Sequence, residues 1–495
     1  MNRTVRRIAF MLLIAFAALV VQLTYVQVVD AERFAEHPAN RRLLVKEYSI
    51  ERGSILAADG TVIARSAPTD DNLKYLRAYP EETARLWGHI TGYYSIVFGR
   101  AGLEQTYNQF LTGSGPQDRW ENIVDDVLGR DRKGHSLLLT IDPKLQTLAE
   151  RLLSRQVGAL AALDPETGAV LAIYANPSFD PNPLSSHNLE RVRNTWDRLN
   201  AHPAKPLLFR STQERYPPGS TFKVLVAAAA LEDGIPPTKR YPNPRALDLP
   251  LTDRTLRNFS GGACPGGSSI SMAQALRVSC NTTFAQIGMD LGVEKLDEMT
   301  RKFGLGGPPA GFDLPATASC LVASPGGGCD EPALDEPQLA FSSIGQFSVR
   351  VTPLQMALVA AAVANGGDLV KPHVVREVQD FTGKVIETIA PEPDTGIFSA
   401  QTAETLRDMM IDVVDNGTGR PAAIASLRGE MGGKTGTAQT GVEGEDPHVW
   451  FIAFGPGIAV AVVVENGGDL GGDATGGRVA GPIAKALIEA VQEGR

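Results

Sequence analysis

The chain is poor in the residues that build metal and nucleic-acid sites. Its 495 residues include only seven histidines and four cysteines, and no histidines pair at the spacing of metal ligands. A G-x-S-x-G string, which marks the nucleophile elbow of α/β-hydrolases, is missing. The formal charge of −9 and the pI near 5.4 argue against nucleic acid as a main partner. We therefore expect no metal and no cofactor.

One long apolar run lies near the N-terminus. Arg3, Arg6 and Arg7 precede residues 8–29, which carry no charge. A run of that length spans a bilayer, and the preceding arginines favour a cytoplasmic N-terminus. A cleaved signal peptide is the alternative, but its apolar core would be unusually long and no A-x-A-like site follows. The sequence thus predicts a cytoplasmic stub at 1–7, a membrane anchor at 8–29 and an extracytoplasmic remainder.

The few cysteines fit an exported protein. Cys264, Cys280, Cys320 and Cys329 are even in number and lie within one stretch of the chain. Four cysteines allow three pairings. Because neighbours in sequence close small loops, we expect Cys264–Cys280 and Cys320–Cys329 bridges, with free buried thiols as the alternative.

Three short strings occur in a fixed order along the chain. They are S-x-x-K at 220–223, S-x-N at 279–281 and K-T-G at 434–436. Together they offer a nucleophile, a base, a proton shuttle and an anion clamp, which are the parts that acyl transfer needs. Each string alone is weak evidence, since S-x-N also occurs at 186–188. Their order and local context favour an acyl-transfer site.

The context of Ser220 is a turn that becomes an apolar helix. Pro217, Pro218 and Gly219 cannot lie inside a helix, so Ser220 falls at or beside the helix N-cap. Lys223 lies one turn on, over Ser220, and burial there lowers its pKa from about 10.4 toward that of a useful base. The alternative is a capping serine and a lysine that reaches out to solvent.

Lys434 lies in a stretch of small residues that predicts an edge strand. Apolar runs at 449–454 and 458–464 predict a hairpin after it, with a final helix at 479–492. A peptide substrate could pair with such an edge, its carboxylate facing Lys434 and the hydroxyls of Thr435 and Thr437. A Walker A loop is excluded, because Arg428 occupies its first glycine position.

Ser279 and Asn281 stand between two helix-like stretches, 271–278 and 282–289. A hydroxyl and an amide at such a junction can point into one cleft. The alternative is that both residues merely cap an αα connection.

Together the strings resemble the penicillin-recognising serine enzymes, and further segments resemble class B penicillin-binding proteins. Those segments are 52–60, 90–94, 102–104, 139–146, 162–171, 345–346, 352–356 and 364–366. The N-terminal region, with 90–94 and 102–104, is most similar to the actinobacterial A type. The similarity covers residues 45–490. Cys280 occupies a position that varies in the family, and Phe347 stands where glycine is common.

The resemblance implies an α+β fold, in which an antiparallel sheet flanked by helices forms the transpeptidase domain at 146–495. The hairpin at 159–174 and the C-terminal strands would share that sheet. Residues 30–145 would form a mixed, dimerisation-like pedestal, too short for a glycosyltransferase domain, so the chain is expected to be monofunctional. A hydrophobic fraction of 43% suffices for more than one core.

The resemblance also implies residue roles. Lys223 takes the proton of Ser220, which attacks the penultimate D-alanine of a peptidoglycan stem peptide. Ser279 relays a proton to the leaving D-alanine, and Asn281 orients the substrate and Lys223. The substrate-binding strand is Lys434, Thr435, Gly436 and Thr437, and the N–H groups of Ser220 and Thr437 form the oxyanion hole.

The expected partners are stem peptides ending in D-Ala-D-Ala, β-lactams, the membrane, and a membrane glycan polymerase with other cell-wall machinery. Two alternatives stay open from the sequence. A D,D-carboxypeptidase or β-lactamase would share the strings but pass the acyl group to water, and a non-catalytic β-lactam sensor or scaffold would only bind.

Overall fold

The computed structural model describes residues 3–26, 47–115, 118 and 132–494. The first helix, α1, is Arg3–Thr24, and its segment Val5–Thr24 has a mean hydropathy of 2.1 with no burial against the protein. It is long and apolar enough to cross a membrane. The end of the predicted anchor, 27–29, lies outside the described residues.

In the described chain, six of the thirteen later helices begin after a residue whose side chain accepts a backbone hydrogen bond from the first turn. The thirteen are α2 Ala84–Thr91, α3 Leu103–Thr106, α4 Asn108–Leu111, α5 Pro143–Leu153, α6 Leu189–Ala201, α7 Lys223–Glu232, α8 Met272–Val278, α9 Asn281–Leu291, α10 Val293–Lys302, α11 Glu336–Ser342, α12 Pro353–Ala364, α13 Ala400–Asn416 and α14 Ala480–Glu493. In α12, for example, Thr352 accepts a hydrogen bond from Gln355 N, and Pro353 occupies the first turn.

The strands are mostly short. They are β1 Ile55–Leu56, β2 Val62–Pro68, β3 Tyr75–Ala78, β4 Tyr94–Ser95, β5 Gly99–Arg100, β6 Ser136–Leu139, β7 Gly158–Leu163, β8 Val170–Asn176, β9 Arg240–Pro242, β10 Ala246–Asp248, β11 Thr255–Arg257, β12 Ser269–Ser271, β13 Leu369–Val370, β14 Val375–Gln379, β15 Val385–Thr388, β16 Pro393–Asp394, β17 Gly432–Ala438, β18 His448–Gly455 and β19 Ile458–Val464.

The central sheet is antiparallel and five-stranded, in the order β17-β18-β19-β7-β8. Ala461 lies opposite Ala161 on one side and Ile452 on the other. Every residue of β19 is buried. Helix α12 packs on the sheet, and so do α5 and α14, which also contact each other. This confirms the α+β fold with chain-distant hairpins joined in one sheet. Strands β17 and β8 are the two edges of this sheet.

The second sheet belongs mainly to the N-terminal part, in the order β15-β14-β6-β1-β2-β3. Its last two strands in sequence, β14 and β15, come from the C-terminal half and pair through β6. Beside this sheet, the buried carboxylate of Glu104 accepts from both Arg52 and Arg77, at 2.5 Å each. The N-terminal part is therefore tied to the rest of the protein by backbone pairing.

Candidate active site

The turn that carries Ser220 is seated against the edge strand β17. Gly219–Phe222 forms a 3₁₀ turn that leads directly into α7. Ser220 is the second residue of this turn, and the N-cap residue is Pro218. Gly219 has a φ of +54°, and a Cβ atom there would lie 2.7 Å from the carbonyl oxygen of Thr437. Glycine is needed at this position because the backbones of the turn and the strand approach so closely.

Two hydrogen bonds hold the turn in place. Gly219 N donates to Gly345 O at 2.9 Å, and Trp450 Nε1 donates to Pro217 O at 3.0 Å. Gly345 itself has a φ of +71°, and a side chain there would collide with Gly219. The position of Ser220 is thus set by β17, by β18 and by the 345 loop.

Lys223 is fully buried and reaches from α7 to the S-x-N string. Its Nζ donates to Asn281 Oδ1 at 2.7 Å and to Ser279 O at 2.8 Å, with Ser279 Oγ at 3.5 Å. Burial lowers the pKa of Lys223 well below its usual value, and the nearby charge of Lys434 lowers it further. Within the described chain, the hydrogen bonds of Nζ go to the second string rather than to Ser220.

Ser279 and Asn281 occupy the junction of two helices, as the sequence analysis expected. Ser279 ends α8 in a left-handed conformation, with φ 61° and ψ 41°. Helix α9 begins at Asn281, after Cys280. The sharp turn brings the carbonyl of Ser279 and the amide of Asn281 to the same amine.

Lys434 joins the third string to the second. It is fully buried, and its Nζ donates to Ser279 Oγ and to Thr435 O, each at 2.8 Å. Burial lowers the pKa of Lys434 to about 7. Lys434 therefore contacts the Ser279 hydroxyl, which the sequence analysis did not predict. That it faces a substrate carboxylate stays a prediction.

The other strand residues differ in their surroundings. Thr435 and Thr437 share one face of β17 by strand alternation. Thr435 Oγ1 shares a hydrogen bond with Thr418 Oγ1 at 2.8 Å, and Thr437 is partly exposed. A Cβ at Gly436 would lie 2.8 Å from Pro218 O. Gly436 therefore lets the strand contact the nucleophile turn.

The cysteines are paired as expected, since disulfides join Cys264 to Cys280 and Cys320 to Cys329. The first bridge ends inside the S-x-N string. By contrast, the other S-x-N copy lies elsewhere, where Asn188 caps α6 by accepting from Arg191 N at 3.0 Å.

Sequence reasoning missed two residues of the site, Arg257 and Asn258. Arg257 O accepts from Asn281 Nδ2 at 3.0 Å, and Asn258 Oδ1 accepts from Asn281 N at 2.9 Å. Asn258 stands shortly before Ser-Gly-Gly, a composition that predicts a turn. Such a local signal does not indicate that its partner, Asn281, lies 23 positions away.

Comparison with known proteins decides the family. Residues 158–489 match the penicillin binding protein transpeptidase domain, and residues 52–137 match the penicillin binding protein A dimerisation domain. The chain belongs to the penicillin-binding protein family. Peptidoglycan D,D-transpeptidase PbpA of Mycolicibacterium smegmatis is 38% identical over 480 residues, covering 95% of each chain. The protein of that name from Mycobacterium tuberculosis is 36% identical over the full length of both.

Solved structures of penicillin-binding proteins agree with this assignment. The ceftriaxone acyl-enzyme of penicillin-binding protein A from M. tuberculosis superposes with a TM-score of 0.83 at 36% identity, covering 90% of this chain and 99% of that chain. Its penicillin G acyl-enzyme gives a TM-score of 0.82 at 36% identity, covering 90% of this chain and 100% of that one. The resemblance inferred from the sequence is confirmed, as is the serine acyl-transferase class of this penicillin-binding protein.

Proposed function

We propose that this penicillin-binding protein is a membrane-anchored D,D-transpeptidase that crosslinks peptidoglycan stem peptides through an acyl-enzyme on Ser220. One observation carries the assignment. A neutral lysine amine has two N–H donors and one lone pair. For Lys223, Asn281 Oδ1 and Ser279 O use the two donors at 2.7 and 2.8 Å. The third contact of Nζ, with Ser279 Oγ, is longer at 3.5 Å, so the lone pair is available to accept a proton from Ser220, one turn away.

Acylation of Ser220 releases the terminal D-alanine. Lys223 takes the Ser220 hydroxyl proton as Oγ bonds to the carbonyl carbon of the penultimate D-alanine. The C–N bond to the terminal D-alanine breaks, and its nitrogen receives a proton through Ser279. The ammonium of Lys434, 2.8 Å from Ser279 Oγ, favours that transfer. An acceptor amine on a neighbouring stem then attacks the ester, Ser220 regains its proton, and a 4→3 crosslink forms.

Substrate binding uses the free edge of β17. The donor peptide adds as a strand beside it, and Thr435 and Thr437, with Lys434 behind them, hold the terminal carboxylate. The N–H groups of Ser220 and Thr437 form the oxyanion hole, each worth about 10²–10³ in rate. The close approach of Gly219 to Thr437 O supports this placement.

The rest of the chain follows the same proposal. Residues 1–7 are cytoplasmic, 8–29 anchor the protein, and 30–145 are a pedestal that places the catalytic domain, 146–495, outside the membrane. A membrane glycan polymerase that makes the strands to be crosslinked is the proposed partner. The apolar helix Arg3–Thr24 supports the anchor, and the net charge does not favour nucleic acid.

Mass spectrometry after benzylpenicillin treatment tests the function. We expect one long-lived penicilloyl group on Ser220, none in Ser220→Ala, and wild-type labelling in the matched control Ser186→Ala. An adduct that hydrolyses within seconds would favour a β-lactamase. Stem-peptide turnover that releases D-alanine without crosslinks would favour a carboxypeptidase, and labelling without any turnover would favour a sensor. Labelling that persists in Ser220→Ala would refute the nucleophile.

A further inference from the structure

The two ends of the Asn281 amide have different partners. Oδ1 accepts from Lys223 Nζ at 2.7 Å, whereas Nδ2 donates to Arg257 O at 3.0 Å. If the amide turned over, its NH₂ group would face Lys223 and its oxygen would face a carbonyl. The NH₂ group would then compete for the lone pair that the base needs. The carbonyl of Arg257 therefore decides which end of the amide reaches the lysine.

The backbone of Asn281 is held by Asn258, the residue after Arg257. Its Oδ1 accepts from Asn281 N at 2.9 Å and from Thr282 N at 3.1 Å. Its Nδ2 donates to Gly262 O at 3.0 Å. Helix α9 has no side-chain cap of its own, since Cys280 at the N-cap makes none. Asn258 thus supplies from another element the cap that this helix lacks.

The element that carries both contacts is the hairpin of β10 and β11. Its strands pair in the register Ala246–Arg257 to Asp248–Thr255, and Asn258 follows directly, buried with 7% of its surface exposed. We propose that the pair Arg257 and Asn258 is a positioning element, which sets the orientation of Asn281 and through it the readiness of Lys223 as the base. This rests on the proposed function.

The chain offers a matched control for the same loop. Asn243 binds the loop around Cys264, because its side chain donates to Cys264 O at 2.6 Å and Gly267 O at 2.9 Å and accepts from Cys264 N at 3.0 Å. Its Oδ1 also lies 3.8 Å from Cys280 Sγ, the other half of the bridge to Cys264, but within the described chain no hydrogen bond joins it to Asn281. A change at Asn243 loosens the loop around Cys264, whereas a change at Asn258 also removes the acceptor of the Asn281 N–H group.

The test is the rate of Ser220 acylation by benzylpenicillin across pH, in full-length protein in detergent, for Asn258→Ala, Asn258→Asp and Asn243→Ala. For Asn258→Ala we expect a loss of about 10- to 100-fold, because small misplacements of a catalytic group have effects of this size. The midpoint of the acid limb of its pH–rate profile (the acid midpoint) should move to lower pH, since Lys223 loses an acceptor that favours its charged form. Lys434 is the other charged group that faces Lys223, and it is unchanged in all three variants.

The other two variants separate positioning from simple stability. Asn258→Asp keeps the acceptor for both N–H groups and adds a negative charge, so it should recover much of the rate while its acid midpoint moves to higher pH. Asn243→Ala should lower the melting temperature and leave the midpoint at the wild-type value. Equal rate losses with one common midpoint would overturn the proposal. If Asn258→Ala does not fold, the midpoint of Asn258→Asp decides, and an unchanged value refutes the proposal. Failure of the wild type to acylate at Ser220 would instead refute the proposed function.

Discussion

Two buried lysines without a carboxylate are the unusual residues of this site. Lys223 and Lys434 are both fully buried, and in the described part of the chain neither forms an ion pair. A buried ammonium is costly unless it is paired or loses its proton. The neutral form of Lys223 is favoured twice, by burial and by the charge of Lys434. The arrangement therefore keeps one lysine as a base beside another that acts as a cation.

The two lysines predict a bell-shaped dependence of acylation on pH. The second-order rate constant should rise as Lys223 loses its proton and fall above about pH 7, because the pKa of Lys434 is lowered to about 7 and its ammonium is then lost. In Lys434→Gln the alkaline limb should disappear. Its acid limb should move to higher pH, since the neighbouring positive charge no longer lowers the pKa of Lys223.

The same variant tests the binding role of Lys434. Lys434→Gln should react more nearly equally with donors that carry and lack a free carboxylate, measured as the ratio of their rate constants. An alkaline limb that survives in the variant, or a ratio that does not change, would contradict the assignment.

At the level of single residues, the sequence predicts the local features of the site and not its long-range contacts. The spacing of Ser220 and Lys223 suffices to predict a shared helical face, because the helix repeat is local. The bond from Lys434 to Ser279 joins positions 155 apart, and no local pattern encodes it. Phe347 is different again. Its φ of +60° gives a physical reason for glycine at that position, but the angle itself is visible only in the fold.

At the scale of elements, the junction between α8 and α9 depends on the disulfide between Cys264 and Cys280. The bridge spans 16 residues, and a loop of that length restrains the unfolded chain by about 3 kcal/mol in the entropy model. It also anchors the backbone between Ser279 and Asn281. Reduction should therefore slow acylation before it unfolds the protein.

A pair of double variants tests this. Cys264→Ser with Cys280→Ser should lower the acylation rate at temperatures where near-ultraviolet circular dichroism shows an intact fold. The matched control removes the other bridge, Cys320–Cys329, which spans nine residues and lies outside the three strings. Equal effects of the two double variants on acylation, or none for the first, would show that the bridge does not position the string.

The elements themselves divide into local and non-local ones. The hairpin of β18 and β19 lies within about a residue of its predicted bounds, because continuous apolar runs and a Gly-Pro-Gly turn are local signals. The 3₁₀ turn at the start of the Ser220 helix was not predicted, because it depends on how this turn packs against β17. Nor was the placement of β14 and β15 in the N-terminal sheet, which depends on pairing with β6, more than 200 residues earlier.

At the scale of the whole molecule, side chains as well as strands join the N-terminal part to the transpeptidase domain. Asn182 exchanges hydrogen bonds with the backbone of Tyr79, each 3.0 Å long, and Tyr107 donates to Asp313. Asp313 in turn accepts from the backbone N–H groups of Val374 and Val375. Because these contacts and the shared sheet link the two parts at several points, we expect the two parts to unfold cooperatively.

His89 makes that junction sensitive to acid. It lies on α2 of the pedestal, stacks on Phe209 with ring centres 4.9 Å apart, and donates from Nε2 to Pro206 O at 2.9 Å. Burial lowers the pKa of His89 to about 4, from 6.5. Between pH 6.5 and about 4, the His89 imidazole is protonated in the unfolded chain but not in the folded chain. Above pH 6.5 it is neutral in both. The free energy of unfolding should therefore fall between pH 6.5 and about 4, by up to about 3 kcal/mol from this group.

Denaturant unfolding of the detergent-solubilised protein at a series of pH values checks this. His89→Gln keeps a donor for Pro206 O but cannot titrate, so its free energy of unfolding should be lower at pH 7, from lost ring packing, and flatter between pH 6.5 and 4. His202→Gln, at an exposed histidine after α6, is the control and should follow the wild-type curve. If His89→Gln loses stability toward pH 4 as steeply as the wild type, the acid sensitivity arises elsewhere, for example at Asp71, whose pKa is lowered by its hydrogen bond with His187 across the same junction.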